Sequence, residues 1–335
     1  MKRKIITTVL LIVCPLGFVF LSLFIGRYPI SFVSVINLLW SKLISAPSHL
    51  PDIYNTVVWE IRMPRAILGA LVGGALAMSG TAFQGLFRNP LVSSGILGVS
   101  SGAGFGAALA ILLFNTRGTI YFFALSFALL AVLLSYLIGR AYKTAPTIML
   151  VLGGTIVSSA FSALISFIKY VADPYDKLPA IVFWLMGSLA SANLQDVWIS
   201  GIPMLIGMAG LWALRWRINV LSMGDREARS LGINITLNKG LVVIFATLAT
   251  AGAVSVSGTI GWVGLIIPHI GRMLVGNDNS VLMPASFSLG ASFLILIDLT
   301  GRMLTGSEIP LSILTALIGA PFFVYLLKMT KGKGW

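Results

Sequence analysis

Apolar stretches of about 20 residues recur along this chain, each long enough to cross a hydrocarbon layer of about 30 Å at 1.5 Å per residue. Between them there is little polar sequence from which to build anything else. Of 335 residues 57% are hydrophobic and only 10% charged, against roughly 25% charged in soluble domains. A single water-soluble core is therefore excluded, and the chain reads as an all-α polytopic membrane protein.

Ten spans are expected, at about 5–26, 63–83, 94–114, 119–139, 146–168, 196–214, 238–257, 259–275, 282–301 and 309–328. An even number puts both termini on one side. With Lys2-Arg3-Lys4 inside, 15 of the 23 Lys and Arg fall on inner segments and 8 on outer ones. Such an excess predicts a multi-pass protein with both termini cytoplasmic. The net charge of +13 does not point to nucleic acid, because the basic residues sit at span ends and form no basic-aromatic cluster. The single cysteine, Cys14, excludes an internal disulfide and a thiolate metal site. No small-x-small cleavage site follows the first apolar run, so it is read as a span rather than a signal peptide.

Three segments are not plain spans. Residues 28–61, with Pro29, Trp40, Pro47 and Pro51, form an outer connection lying at the interface. Residues 177–193 are too short to cross and suit an outer half-helix, tolerated only against protein or a cavity. Residues 215–237 are a charged inner segment. Inside the spans, small residues recur at four-residue steps: Ser94, Gly98, Gly102, Gly106; Gly69, Gly73; Ala249, Ala253, Ser257, Gly261. Such ladders let helix backbones approach closely, with pore lining as the competing reading. Ser79-Gly-Thr, Gly85-Leu86 and Pro90 echo as Ser257-Gly-Thr, Gly264-Leu265 and Pro268 in spans of opposite direction, which suggests an inverted repeat.

No catalytic constellation is present. The sequence has ten acidic residues and two widely separated histidines, His49 and His269. It lacks a Gly-x-x-x-x-Gly-Lys-[Ser/Thr] phosphate loop, so it does not by itself couple to ATP in the usual way, and its energy source must come from elsewhere. Ion-driven carriers place ionisable groups in mid-span. Here the candidate is Asp298, four residues from Arg302 and read as its local helix partner. In Gly224-Asp-Arg-Glu-Ala-Arg-Ser-Leu-Gly232, Asp225 and Glu227 near a helix start and Arg229 further on suit the helix dipole, and Gly232 stops the helix. Two readings stand open: a helix that fits a groove on a partner, or a solvated loop helix. Arg62, Arg65 and Arg302 at the outer face are either interfacial anchors or receivers of carboxylates from an external partner. Asn89 and Leu91, around the break at Pro90, either narrow a pore mouth or cap helices. His269 reads as a hydrogen-bonded interfacial residue rather than a metal ligand.

Taken together, Ile61-Arg-Met-Pro-Arg65, Ser79-Gly80, Gln84-Gly-Leu-Phe-Arg-Asn-Pro-Leu91, Gly95-Ile-Leu-Gly-Val-Ser-Ser-Gly-Ala103, the 224–232 run, Gly261-Trp-Val-Gly-Leu-Ile-Ile-Pro-His-Ile-Gly-Arg272 and Glu308-Ile-Pro-Leu311 resemble the permease subunits of ABC importers for vitamin B12, haem and iron-siderophores. The resemblance spans nearly the whole chain in order. It implies a type II importer permease fold of ten helices per subunit, a homodimer, two cytoplasmic ATPase subunits that bind ATP-Mg, and an external substrate-binding protein. No cofactor is implied for this chain itself. By position, Arg62, Arg65 and Arg302 resemble arginines that grip glutamates on the binding protein. Asp225, Glu227, Ala228, Arg229 and Gly232 fall on the coupling helix seated in the ATPase, where Arg229 departs from the family's usual second small residue. Asn89 and Leu91, with Thr147, resemble residues narrowing the translocation path, and the fifth and tenth spans would line it at the two-fold axis. The expected function is ATP-driven import of a metal chelate by alternating access; the alternative is an ion- or proton-driven secondary transporter.

Overall fold

The computed structural model describes residues 2–45, 50–140 and 147–329, with the backbone alone at 2–10, 12, 147, 327 and 329. His49, Lys143, Lys331 and Lys333 lie outside the described residues. The described residues form helices and no strand. In chain order these are α1 (Lys2–Phe24), α2 (Phe32–Leu43), α3 (Asp52–Asn55), α4 (Met63–Phe87), α5 (Val99–Leu113), α6 (Arg117–Arg140) and α7 (Thr147–Val171). There follow α8 (Lys177–Met186), α9 (Leu194–Ala213), α10 (Arg215–Met223), α11 (Asp225–Ser230), α12 (Ile235–Ser257), α13 (Val263–Val275), α14 (Asn279–Leu304) and α15 (Leu311–Met329). A π-helical turn, Thr56–Arg62, joins α3 to α4 without a break. The resulting continuous helix, Asp52–Phe87, starts well before the expected span at 63.

Among the described residues, six helices are long and apolar enough to cross a membrane: Asp52–Phe87, Arg117–Arg140, Ile148–Val171, Leu194–Ala213, Ile235–Ser257 and Asn279–Leu304. The other four expected spans fall on α1, α5, α13 and α15. Two of these are short, α5 with 15 residues and α13 with 13. At 1.5 Å per residue α13 covers about 20 Å of a layer of about 30 Å. The expected spans at 94–114 and 259–275 therefore begin too early. Gly98 and Trp262, the N-caps of α5 and α13, have positive φ (84° and 69°), which keeps regular helix from starting earlier, and Gly258 (φ 69°) closes α12. This irregular backbone is packed inside protein, where such segments are tolerated at membrane depth.

The centre of the bundle is α4, which packs against α9, α12, α13 and α14. Gly, Ala and Ser make up 11 of its 25 residues, and 19 of its residues are buried. Its most extensive seam is with α14. A Cβ on Gly73 would stand 2.1 Å from the Gly290 carbonyl oxygen, and one on Gly290 would stand 2.3 Å from that of Gly73. On α5, Gly102 and Gly106 sit in the same way against the Phe127 and Phe123 carbonyls of α6. These ladders are thus helix-packing seams. The two sequence echoes also meet, Gly80 of α4 lying on the carbonyl of Gly264 in α13.

The short helix α8 ends at Gly187, with φ 72°. Its terminal groups are satisfied by neighbours: Leu311 N donates to Gly187 O at 2.9 Å, Ser312 Oγ to Met186 O at 2.6 Å, and Ser188 N to Ser257 O at 2.8 Å. A half-length helix is stable here because protein, rather than lipid, takes up its last carbonyls.

Candidate functional site

Two groups of sequence-selected residues lie together at one end of the bundle, and a third lies at the other. At the first end, Gly224 (φ 134°) separates α10 from α11. Helix α11 is only six residues long, and its C-terminus is closed by a Schellman motif. Gly232 N donates to Arg229 O at 3.0 Å and Ile233 N to Ala228 O at 3.1 Å. Gly232 has φ 76°, a conformation a Cβ disfavours. Asp225 is anchored by Lys239 Nζ at 2.8 Å, which ties α11 to α12. Only Ala228 is buried; Asp225, Arg226, Glu227, Arg229, Leu231 and Gly232 face solvent. The segment thus presents a charged, rigid surface and inserts one methyl group into the bundle.

Beside it, α4 ends at Arg88, whose φ of 51° is left-handed. The loop that follows is a compact turn. Asn89 N donates to Gln84 O at 3.2 Å, Asn89 Oδ1 accepts from Leu91 N at 2.9 Å, and Val92 N donates to Asn89 O at 3.3 Å. The Asn89 side chain therefore holds the turn, while Leu91 is 54% exposed and unused by the subunit itself. Thr147 opens α7; its side chain lies outside the described residues. Sequence reasoning quoted Gln84 without giving it a role. It is buried, donating through Nε2 to Val92 O at 3.0 Å and accepting from Arg272 Nη2 of α13. Gln84 thus joins the 88–92 turn to α13. The sidedness of this one amide is the kind of pairing that only the fold reveals.

The three arginines at the opposite end are neighbours, but they are not displayed. Arg62, Arg65 and Arg302 are 3%, 6% and 6% exposed. Arg62 donates to the Leu23 and Phe24 carbonyls at 2.7 and 3.1 Å, and also to that of Tyr28, filling the open C-terminus of α1. Arg65 binds Asp298 and Glu308 together, with N···O distances of 2.8–2.9 Å. Arg302 lies 3.8 Å from Asp298 and donates to Ser22 O at 3.2 Å. The expected local pair Asp298–Arg302 is thus secondary, because Asp298 is held first by Arg65 across the α4–α14 seam. The most open member of the cluster is Glu308, with 31% of its side chain exposed. Partial burial raises the Glu308 pKa, but the hydrogen bonds and charge of Arg65 outweigh this and hold it below the ordinary 4.5. An exposed cation beside the cluster, Arg27, donates to the Arg302 carbonyl at 2.9 Å and to those of Thr305 and Gly306. The charge of this cluster is therefore consumed in fastening α1, α4, α14 and the 305–310 loop together.

Among the described residues, no three His, Cys, Asp or Glu side chains gather as a metal site. His269 is buried on α13, one turn from Arg272.

The FecCD transport family model matches residues 10–329. The molybdate import system permease protein MolB of Haemophilus influenzae is 40% identical over 313 residues, covering 93% of this chain and 92% of the relative. A probable iron chelatin transport system permease protein of Helicobacter pylori is 43% identical over 280 residues, 83% of this chain and 84% of the relative. A solved structure described as an inward-facing conformation of a metal-chelate type ABC transporter superposes with a TM-score of 0.85 at 38% identity, over 95% of this chain and 97% of that one. On the fold, the seams and these matches together, the chain belongs to the FecCD transport family, as a permease of the metal-chelate and vitamin B12 type of ABC importer.

Proposed function

We propose that this chain forms the membrane conduit of an ATP-driven importer. It works as a homodimer with two cytoplasmic ATPase subunits and an external substrate-binding protein, and both its termini are cytoplasmic. The observation that carries the reading is α11. A six-residue charged helix, capped at its end and clamped by Lys239, spends its structure on rigidity and its surface on solvent. That combination suits a lever pressed by a partner better than a loop that merely connects spans. Asp225, Glu227, Arg229 and Gly232 form the docking face, and buried Ala228 seats the lever. ATP binding in the partners draws the two α11 helices together. The motion reaches the Asn89–Leu91 turn, where exposed Leu91, with Thr147 of α7, narrows the path; α7 and α15 line it at the two-fold axis.

On the external side, the binding protein docks over Arg62, Arg65 and Arg302. Because these guanidiniums are already engaged, an incoming carboxylate reaches Arg65 by exchanging with Glu308, the more exposed of its two carboxylate partners. The cargo is a metal chelate such as an iron-siderophore, haem or cobalamin, with an oxyanion as the competing class on the side of the molybdate relative. An ion-driven mechanism is disfavoured because Asp298, the candidate mid-span carboxylate, is neutralised by Arg65.

Gly232→Pro removes the N–H that closes the Schellman motif and misaligns the docking face. In vesicles holding the assembled transporter, this variant should keep ATP hydrolysis while losing at least tenfold in uptake per ATP. Uptake at the wild-type ratio would remove α11 from the coupling role. Accumulation of cargo by the permease alone, without nucleotide, would end the proposal.

A further inference from the structure

A polar basin of about 270 Å³ opens at the α11 end, between the end of α4, the end of α10 and the start of α14. Its floor is Thr81, Gln84, Asn279 and Leu282, and its rim is Arg88, Asn89, Ser222 and Asn277, with Arg272 at one wall. Two guanidiniums therefore converge on it, and no carboxylate lines it. Most of the neutral groups are already used. Thr81 Oγ1 donates to Ala77 O, Ser222 Oγ to Asn219 O, and Asn279 Nδ2 to Asn219 Oδ1. Arg272 spends Nη2 on Gln84, but its Nη1 is buried and has no partner.

A guanidinium N–H withdrawn from water and left unpaired is costly, and the cost is removed most effectively by a counter-charge. The nearby acids do not supply it. Asp278 is bound by the Asn219 amide and Ser280 N at 2.6 and 2.9 Å. Glu227 makes no ion pair with Arg88, although both flank Gly224. Arg272 offers a fork anchored on Gln84 at the wall, Arg88 an exposed one at the rim, and Asn277 an exposed amide beside the N-terminus of the 26-residue α14. A planar fork beside a second cation matches two or three oxygens of one anion.

We infer that this basin is an oxyanion-binding site on the α11 side of the permease. The shared chemistry is a compact anion with several equivalent oxygens, and two sources supply it: a free oxyanion at the mouth of the conduit, or a carboxylate of a docked ATPase subunit. The site stands on Arg88, Arg272 and Asn277 and does not require that α11 be the coupling element.

The test is calorimetric titration of the purified full-length permease in nanodiscs with molybdate, sulfate and phosphate at low ionic strength. Saturable binding of at least one anion is expected. It should weaken at least tenfold in Arg88→Gln and in Asn277→Asp, which both alter exposed rim positions, and fall with added salt. Repeating the titration with an ATPase subunit bound separates the sources: competition assigns the basin to a partner carboxylate, and undiminished binding assigns it to a free anion. The absence of saturable binding for all three anions overturns the inference, as does binding indifferent to both substitutions. If Gly232→Pro fails to uncouple transport while anion binding persists, the lever reading fails and the basin stands.

Discussion

Replacing Gly73 by alanine tests whether the α4–α14 seam is a true backbone contact. The added methyl would stand 2.1 Å from the Gly290 carbonyl oxygen and 2.8 Å from Leu294 Cβ. Ordinary contact begins at 3.4 Å, so the two helices must part by the difference, about 1.3 Å. Neither obstacle is the end of a flexible side chain, so no rotamer change relieves the clash. Overpacking typically costs 1–3 kcal/mol, and an immovable backbone partner puts this site near the upper end. Alanine recovers about 0.4–1 kcal/mol by restricting the unfolded chain, which leaves a net loss of about 2 kcal/mol, roughly 30-fold in the unfolding equilibrium. Gly240→Ala is the matched control, since a Cβ at that helical position meets nothing within 4 Å and should be neutral or slightly stabilising. The assay is loss of helical circular dichroism in mixed micelles with increasing SDS. Equal midpoints for the two variants would refute the reasoning.

Two further outcomes concern the opposite end. Arg65→Met leaves buried Asp298 without its main partner and should cost about 3–5 kcal/mol in the same assay, whereas Arg65→Met with Asp298→Leu should recover much of that loss; a single variant within 1 kcal/mol of wild type would show that the cluster does not hold the helices. The Glu308 carboxyl titrates below 4.5 when folded, so its contribution is complete above that pH and disappears as pH falls through the lower, folded value. The melting temperatures of wild type and Glu308→Gln should therefore differ at pH 7 and converge below about pH 4.5, and a gap unchanged down to pH 3 would contradict the Arg65 pairing.

Local signals were the legible ones. Apolar length located the spans, glycine steps located the seams, and Asp225 through Gly232 could be read as a short capped helix because each cue lies within one turn of the next. What was hidden depends on partners remote in sequence. Arg65 and Asp298 are 233 residues apart, so nothing in the run around Arg302 showed that Asp298 belonged elsewhere. The arginines looked like surface cations because charge is usually exposed, yet each finds a carbonyl or carboxylate only when α1, α4 and α14 converge. The brevity of α5 and α13 was masked by apolar flanking residues that are not helical, and Gln84 read as part of a motif whose purpose is tertiary.

The interlocking of α4 with α14 has a mechanical corollary. Two rods whose peptide groups touch cannot slide past each other by small increments, because the Gly73 and Gly290 carbonyls each sit in the notch left by the other glycine. They form a chassis, and any opening of the transporter has to be carried by parts bolted to it more lightly. Helix α15, which meets only α8, α13 and α14 in any extended way, is the natural swinging panel. Crosslinks between α4 and α14 should therefore leave turnover intact, while crosslinks pinning α15 to α8 should stop it.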